Sequence, residues 1–118
     1  MVAPSGAKVV LVPFPFSDLS RTKLRPAVVI ADAGRGDWVL CQITSNPYGD
    51  SLSVEITDES FASGSLRIKS YVRPGKLFTA NANLIVAEVG ELNTKTFEGI
   101  LEAIIRILTA GLPAEKKR

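Results

Sequence analysis

A chain of 118 residues, 46% apolar and 22% charged, is long enough to bury a single core of its own. It has no histidine and one cysteine, Cys41, which excludes an internal disulfide, the usual zinc sites and every histidine-dependent acid/base mechanism. The net charge of +2 comes from Lys116, Lys117 and Arg118, since without residues 113–118 the basic and acidic side chains balance at 11 each. Any polyanion must therefore be met by a local basic cluster and not by a global field.

No run approaches the ~18 apolar residues of a membrane span, and the N-terminus lacks the charged-then-apolar layout of a signal peptide. The expectation is a cytoplasmic chain with one domain over residues 1–112 and a basic tail over 113–118. Residues 8–14 (KVVLVPF) and 26–32 (PAVVIAD) predict β-branched strands. Between them Pro15 to Leu24 is polar and rich in turn formers, and it ends on Arg25-Pro26. Pro26 biases the residue before it toward extended backbone, so Arg25 is placed at the mouth of a strand beside an exposed loop. Arg21, Lys23 and Arg25 form a closely spaced basic cluster along that loop.

Gly34-Arg35-Gly36-Asp37 predicts a tight turn into a third strand at 38–45. There Val39, Cys41 and Ile43 alternate with Trp38, Leu40, Gln42 and Thr44. Cys41 falls on an apolar face as a small buried hydrophobe, and Trp38 belongs to the core or to a subunit interface. Asn46 to Asp50 is a loop, followed by a short strand near 52–56. Residues 57–65 are expected to be a surface connection. Strands follow at 66–72 and 76–80, with Arg73-Pro74-Gly75 as the turn between them, and a last strand runs near 84–89. Phe97, Ile100, Leu101, Ile104, Ile105 and Leu108 recur at helical spacing over about 94–109. Asn93 or Thr94 is available as N-cap, and Gly111 then Pro113 as the stop. The fold class is mainly β with a C-terminal α-helix (α+β): a curled antiparallel sheet packed on one helix.

The catalytic inventory is short: no phosphate-cradling glycine loop, no nucleophile elbow and no metal-spaced ligand pair. If strands two and three form a hairpin, Arg25 and Thr44 come to the same end of the sheet. A guanidinium and a hydroxyl there could hold a phosphodiester and neutralise charge developing on its oxygens. If the attacking group is the substrate's own 2′-hydroxyl, that substrate is RNA. The competing reading is a surface pair of Arg25 with Asp18 or Asp32 and an ordinary strand threonine, and spacing alone favours it.

The segments VVLVPFPFSDLSRTKLRPAVVI, LCQITSN and VRPGKLFT, in that order, resemble the MazF/PemK family of bacterial toxins over essentially the whole chain. The resemblance implies a small SH3-like barrel of the plasmid-maintenance-toxin type, working as a homodimer. It implies a metal-independent endoribonuclease with no cofactor, which cleaves single-stranded RNA to a 2′,3′-cyclic phosphate and a 5′-hydroxyl. The family's catalytic arginine falls on Arg25 and its threonine on Thr44. Asp18, Ser20, Arg21, Lys23, Ser45 and Asn46 are the accompanying candidates for holding RNA. The implied partner is an antitoxin, MazE-like or of ribbon-helix-helix type. A gyrase-binding toxin of the same fold and a member that only binds antitoxin are the alternatives. Three departures stand out. Many relatives carry Gly-Asp where this chain has Ala7-Lys8. The first loop offers only Asp18, Ser17, Ser20 and Thr22 as proton acceptors, where relatives have glutamate or histidine. Phe78-Thr79 stands where others have Arg-Thr, so no role is carried over to Phe78.

Overall fold

The computed structural model describes residues 4–15, 22–47 and 49–114. Its elements are β1 (Lys8–Pro15), β2 (Thr22–Gly34), β3 (Asp37–Thr44), β4 (Val54–Ile56), β5 (Phe61–Gly64), β6 (Ser70–Asn81), β7 (Ala87–Leu92) and α1 (Thr94–Thr109), with short 3-10 turns at Asp58–Ser60 and Ala82–Leu84. The strands form one antiparallel sheet in the order β4-β6-β3-β2-β1-β7-β5, curled into a half-barrel. The hairpin β2–β3 turns through Arg35 and Gly36, both at positive φ (58° and 81°), as the twist of a two-residue hairpin requires.

Alternation gives the sheet two apolar faces. On one, Val9, Val28, Cys41, Ile43 and Val72 pack with Ile100 and Ile104 of α1. On the other, Val10, Val12, Ala27, Val29 and Leu40 gather with Ala80 and Ile85, flanked by Phe14, Trp38 and Phe78. The expected split of β3 is what places Cys41 and Ile43 against the helix and Leu40 and Trp38 on the opposite side.

The helix has the predicted bounds. Asn93 caps it, its side-chain oxygen accepting from the Thr96 N–H at 2.8 Å, while its amide donates to the Glu59 carbonyl at 3.0 Å. The apolar stripe is wider than the surface covering it. Ile100 and Ile104 are buried, whereas Ile105 and Leu108 remain 58% and 62% exposed.

Five expectations need correction. β2 begins at Thr22, so Arg25 lies three residues inside the strand and not at its mouth, and the strand expected from 66 starts at Ser70. Residues 57–65 contain β5, which pairs with β7. The strand expected at 84–89 starts later, at Ala87, and runs to Leu92. Most consequentially, Arg73-Pro74-Gly75 does not reverse the chain, because β6 runs unbroken along β3 on both sides of it. The register changes from Cys41↔Leu77 to Ile43↔Val72, so Arg73 to Lys76 bulge opposite Gln42 alone. Pro74, which lacks an N–H to offer the ladder, is buried inside the bulge.

Ala7 explains one departure from the family pattern. It enters β1 at φ 75°, a conformation that costs a Cβ-bearing residue about 1–2 kcal/mol, held by hydrogen bonds to Val29 and Leu92. Glycine would adopt it freely. Ala7→Gly is therefore expected to keep or raise stability by up to ~1 kcal/mol, although glycine usually costs that much in a strand. Urea midpoints compare the two proteins, and a lower midpoint for the variant would show that no strain is held there.

Candidate active site

The ladder between β2 and β3 pairs Val29 with Leu40, Val28 with Cys41 and Ala27 with Gln42. Continued by two residues, the same register sets Arg25 opposite Thr44. On its other side Arg25 pairs with Val12, and Lys23 with Phe14. Side chains directly opposite share a face, so Lys23, Arg25 and Thr44 project from the face that carries Phe14, Val12, Ala27 and Gln42. Arg25 is half-buried and Lys23 exposed. Asp32 lies seven residues further along β2, roughly 23 Å for extended backbone, and accepts instead from the Gly34 N–H at 2.7 Å. It is not the partner of Arg25.

Thr44 is buried at 8% exposure and folds the next residues over itself. The Asn46 N–H donates to Thr44 Oγ1 at 3.1 Å, and the Thr44 hydroxyl donates to the Asn46 carbonyl at 3.0 Å. That reciprocal turn presents Ser45 and Asn46, both exposed, at the end of β3 next to Arg25. Sequence reasoning placed Ser45 and Asn46 there but did not supply the turn that holds them. Asp18, Ser20 and Arg21 lie outside the described residues, as do Ser17 and Tyr48.

The loop beyond Asn46 is anchored by a residue the sequence did not single out. Arg73 Nε reaches Asp50 Oδ2 at 3.1 Å from the β6 bulge, and Asp50 also accepts from the Leu52 N–H at 3.0 Å. The Leu52 amide first, and the Arg73 hydrogen bond second, hold the Asp50 carboxyl below its ordinary value. A depressed carboxylate contributes stability that is present above the unfolded value and lost as pH falls through the folded one. The 46–53 loop is thus expected to stay tethered from neutral pH down to about 4 and to loosen below it. Amide exchange at Leu52 between pH 7 and 3 measures this, and protection that stays constant across the range would contradict the tether.

The same bulge holds Cys41. Its thiol donates to the Arg73 carbonyl at 2.9 Å, and burial pushes its pKa up to about 12, only partly offset by the Gln42 backbone. A thiol that stays protonated through neutral pH is no nucleophile. Among the described residues, no three His, Cys, Asp or Glu side chains gather as metal ligands.

Beside Arg25 and Thr44, and on the same face, lies a cleft of about 490 Å³ lined by Val12, Phe14, Gln42, Lys76, Phe78 and Leu84, among others. The Phe14 and Phe78 rings meet edge-to-face, with centroids 4.6 Å apart and planes at 78°. They come from β1 and β6, three strand spacings apart, about 14 Å in a flat sheet. Their contact over Ala27 and Leu40 is made possible by the curl. The assembled rim therefore has one cation on a fixed strand, a second exposed beside it, a cluster of hydroxyl and amide groups, and an apolar cleft open next to them.

Known proteins agree with this architecture. Among solved structures, an endoribonuclease in complex with its cognate antitoxin from Mycobacterial species is 20% identical, with a TM-score of 0.67 over 96% of this chain and 98% of that one. A MazE-MazF complex from Deinococcus radiodurans is 15% identical, with a TM-score of 0.73 over 92% and 97%. At that identity the likeness is one of fold. No curated protein matches the sequence. The model of the PemK-like, MazF-like toxins of type II toxin-antitoxin systems matches residues 6–108, every strand described above and α1 up to its last residue, and the chain belongs to that toxin family.

Proposed function

We propose that this toxin is an endoribonuclease that cleaves single-stranded messenger RNA and so halts translation. The observation that carries the reading is the β2–β3 register, with Ala27 opposite Gln42, which continued by two residues sets Arg25 opposite Thr44 on one face of the sheet. In the proposed step the ribose 2′-oxygen attacks the adjacent phosphorus while a base takes its proton. The bond from phosphorus to the 5′-oxygen breaks, and that oxygen is protonated as it leaves. The products are a 2′,3′-cyclic phosphate and a 5′-hydroxyl. Arg25 neutralises the charge growing on the non-bridging oxygens, and the Thr44 hydroxyl, rotating its single hydrogen away from the Asn46 carbonyl, donates to one of them. Asp18, the one carboxylate of the first loop, serves as the base, and the hydroxyls of Ser17, Ser20 and Thr22 are available to hydrogen-bond the substrate. Arg21, Lys23, Ser20, Ser45 and Asn46 hold the flanking phosphates and base edges. The attacking group belongs to the substrate and the charge is met by a guanidinium, so no divalent ion is required.

The toxin works in the cytoplasm as a homodimer, for which the exposed Ile105 and Leu108 of α1 supply apolar surface. Its antitoxin lays an acidic, initially disordered segment over the basic rim, in competition with RNA. The decisive experiment incubates the protein in chelator with mixed single-stranded RNA, and separately with supercoiled DNA and gyrase. Ladders ending in 2′,3′-cyclic phosphate are expected from the RNA alone. Poisoned gyrase with intact RNA would replace this reading with that of a gyrase-directed binder.

A further inference from the structure

The Arg25–Thr44 end of the site deals with phosphate and says nothing about which base is read. The cleft beside it has the makings of a base site. Val12, the cross-strand neighbour of Arg25, is in its wall. Gln42, two residues before Thr44 and so about 7 Å away along β3, is in its lining. The cleft is therefore continuous with the phosphate position and within reach of a single nucleotide.

We propose that the cleft beside the Phe14–Phe78 pair takes one nucleobase of the RNA strand whose phosphate lies at Arg25, and that Phe78 and Gln42 set the toxin's base preference there; this rests on the ribonuclease reading above. An edge-to-face pair covers one of its four ring faces, so π surface remains for a planar ligand. Gln42 offers a hydrogen-bond donor and an acceptor on one carboxamide, the pattern that reads a base edge. Lys76, whose charge also acts on Asp50, adds a cation for a flanking phosphate. An apolar side chain of a peptide would fill the walls but leave the carboxamide and the ammonium unanswered. The cleft's volume falls in the range of small-ligand sites.

The test separates base binding from cleavage. Four single-stranded 2′-O-methyl oligonucleotides, one for each base, cannot supply the 2′-oxygen nucleophile and report binding alone. The homopolymers are titrated by fluorescence anisotropy into wild type, Phe78→Leu and Gln42→Ala, with thermal melts to show that each variant is folded. At least one homopolymer is expected to shift the Gln42 side-chain amide signals of the wild type. Phe78→Leu, which keeps apolar volume without a π face, should weaken that homopolymer at least about tenfold, the scale of one lost stack. Gln42→Ala should reorder the four bases. Equal affinities in wild type and Phe78→Leu, or no signal at Gln42 with any homopolymer, would overturn the proposal. Variants that lose only antitoxin-peptide affinity would overturn it too, in favour of a peptide pocket. Wild-type binding without cleavage of ordinary RNA would refute the ribonuclease reading and leave the base site standing. Cleavage at unchanged sites by Phe78→Leu would do the reverse.

Discussion

Arg25→Ala is expected to cut RNA cleavage by about 10² or more while the protein remains folded, the scale on which one preorganised donor acts on a developing oxyanion. Folding should survive because the core side chains of β2 are Ala27, Val28 and Val29, whereas Arg25 is half-buried at the outer end of the strand. The strand is what gives the guanidinium its value. With Val12 paired on one side and the β3 ladder beginning two residues on at Ala27, its backbone has little freedom to lose when the transition state forms. Arg25→Lys should rescue poorly, since an ammonium is a point charge and cannot bond two phosphate oxygens in one plane. Single-turnover cleavage of a defined RNA measures both variants, and near-normal turnover by the alanine protein would remove Arg25 from the mechanism.

Thr44 is the second large effect, and its hydrogen bonds make the substitutions informative. The hydroxyl both accepts from and donates to the Asn46 backbone, so Thr44→Ala deletes a phosphate donor and the turn that aims Ser45 and Asn46. A loss of about 10² in turnover is expected from the donor alone, with weaker RNA binding on top. Thr44→Ser keeps both bonds and should retain much of the activity. Thr44→Val preserves the branched shape without the hydroxyl and should behave like alanine. If the valine protein cleaved at the wild-type rate, the hydroxyl would be irrelevant, and Ser45, next in the chain, would become the candidate.

The helix was legible because its apolar period and its Asn93 cap are both local in sequence, although its C-cap is Ala110 and not a left-handed glycine at Gly111. The hairpin put Arg25 and Thr44 at the same end of the sheet but did not give their pairing: register shifts between Val29 and Ala31 and between Asp32 and Gly34 move the ladder by two residues, and counting outward from the turn alone would set Arg25 opposite Asn46. Other features were hidden by their chemistry. β5 (FASG) carries one large apolar residue, since an edge strand held by backbone pairing to β7 needs no apolar pattern. Arg-Pro-Gly is the composition of a turn, and only the burial of Pro74 and the resumed pairing with β3 reveal a bulge. The aromatic cleft was out of reach for a third reason. Phe14 and Phe78 are 64 positions apart and meet through sheet curvature, which no local pattern encodes. The uncovered side of α1 could not be foreseen either, because periodicity shows which side chains are apolar and not how far the sheet beneath them extends.

The sheet order carries a consequence for how the molecule comes into being. β1 lies between β2, which follows it closely in the chain, and β7, whose Glu91 pairs with Lys8. During synthesis at about 5–20 residues per second, the outer edge of β1 waits roughly 4 to 15 s for β7 to be made. Over that interval an apolar strand shows unpaired N–H and C=O groups, the kind of edge that recruits other chains. The phosphate-handling end, built on β1, β2 and β3, can be assembled locally, yet the face against the helix cannot close before Leu92 and α1 have arrived. Pairing across so long a sequence separation also slows folding. The fold is thus completed only at the end of synthesis, when β7 and α1 cover the edge and the face that the earlier strands leave open.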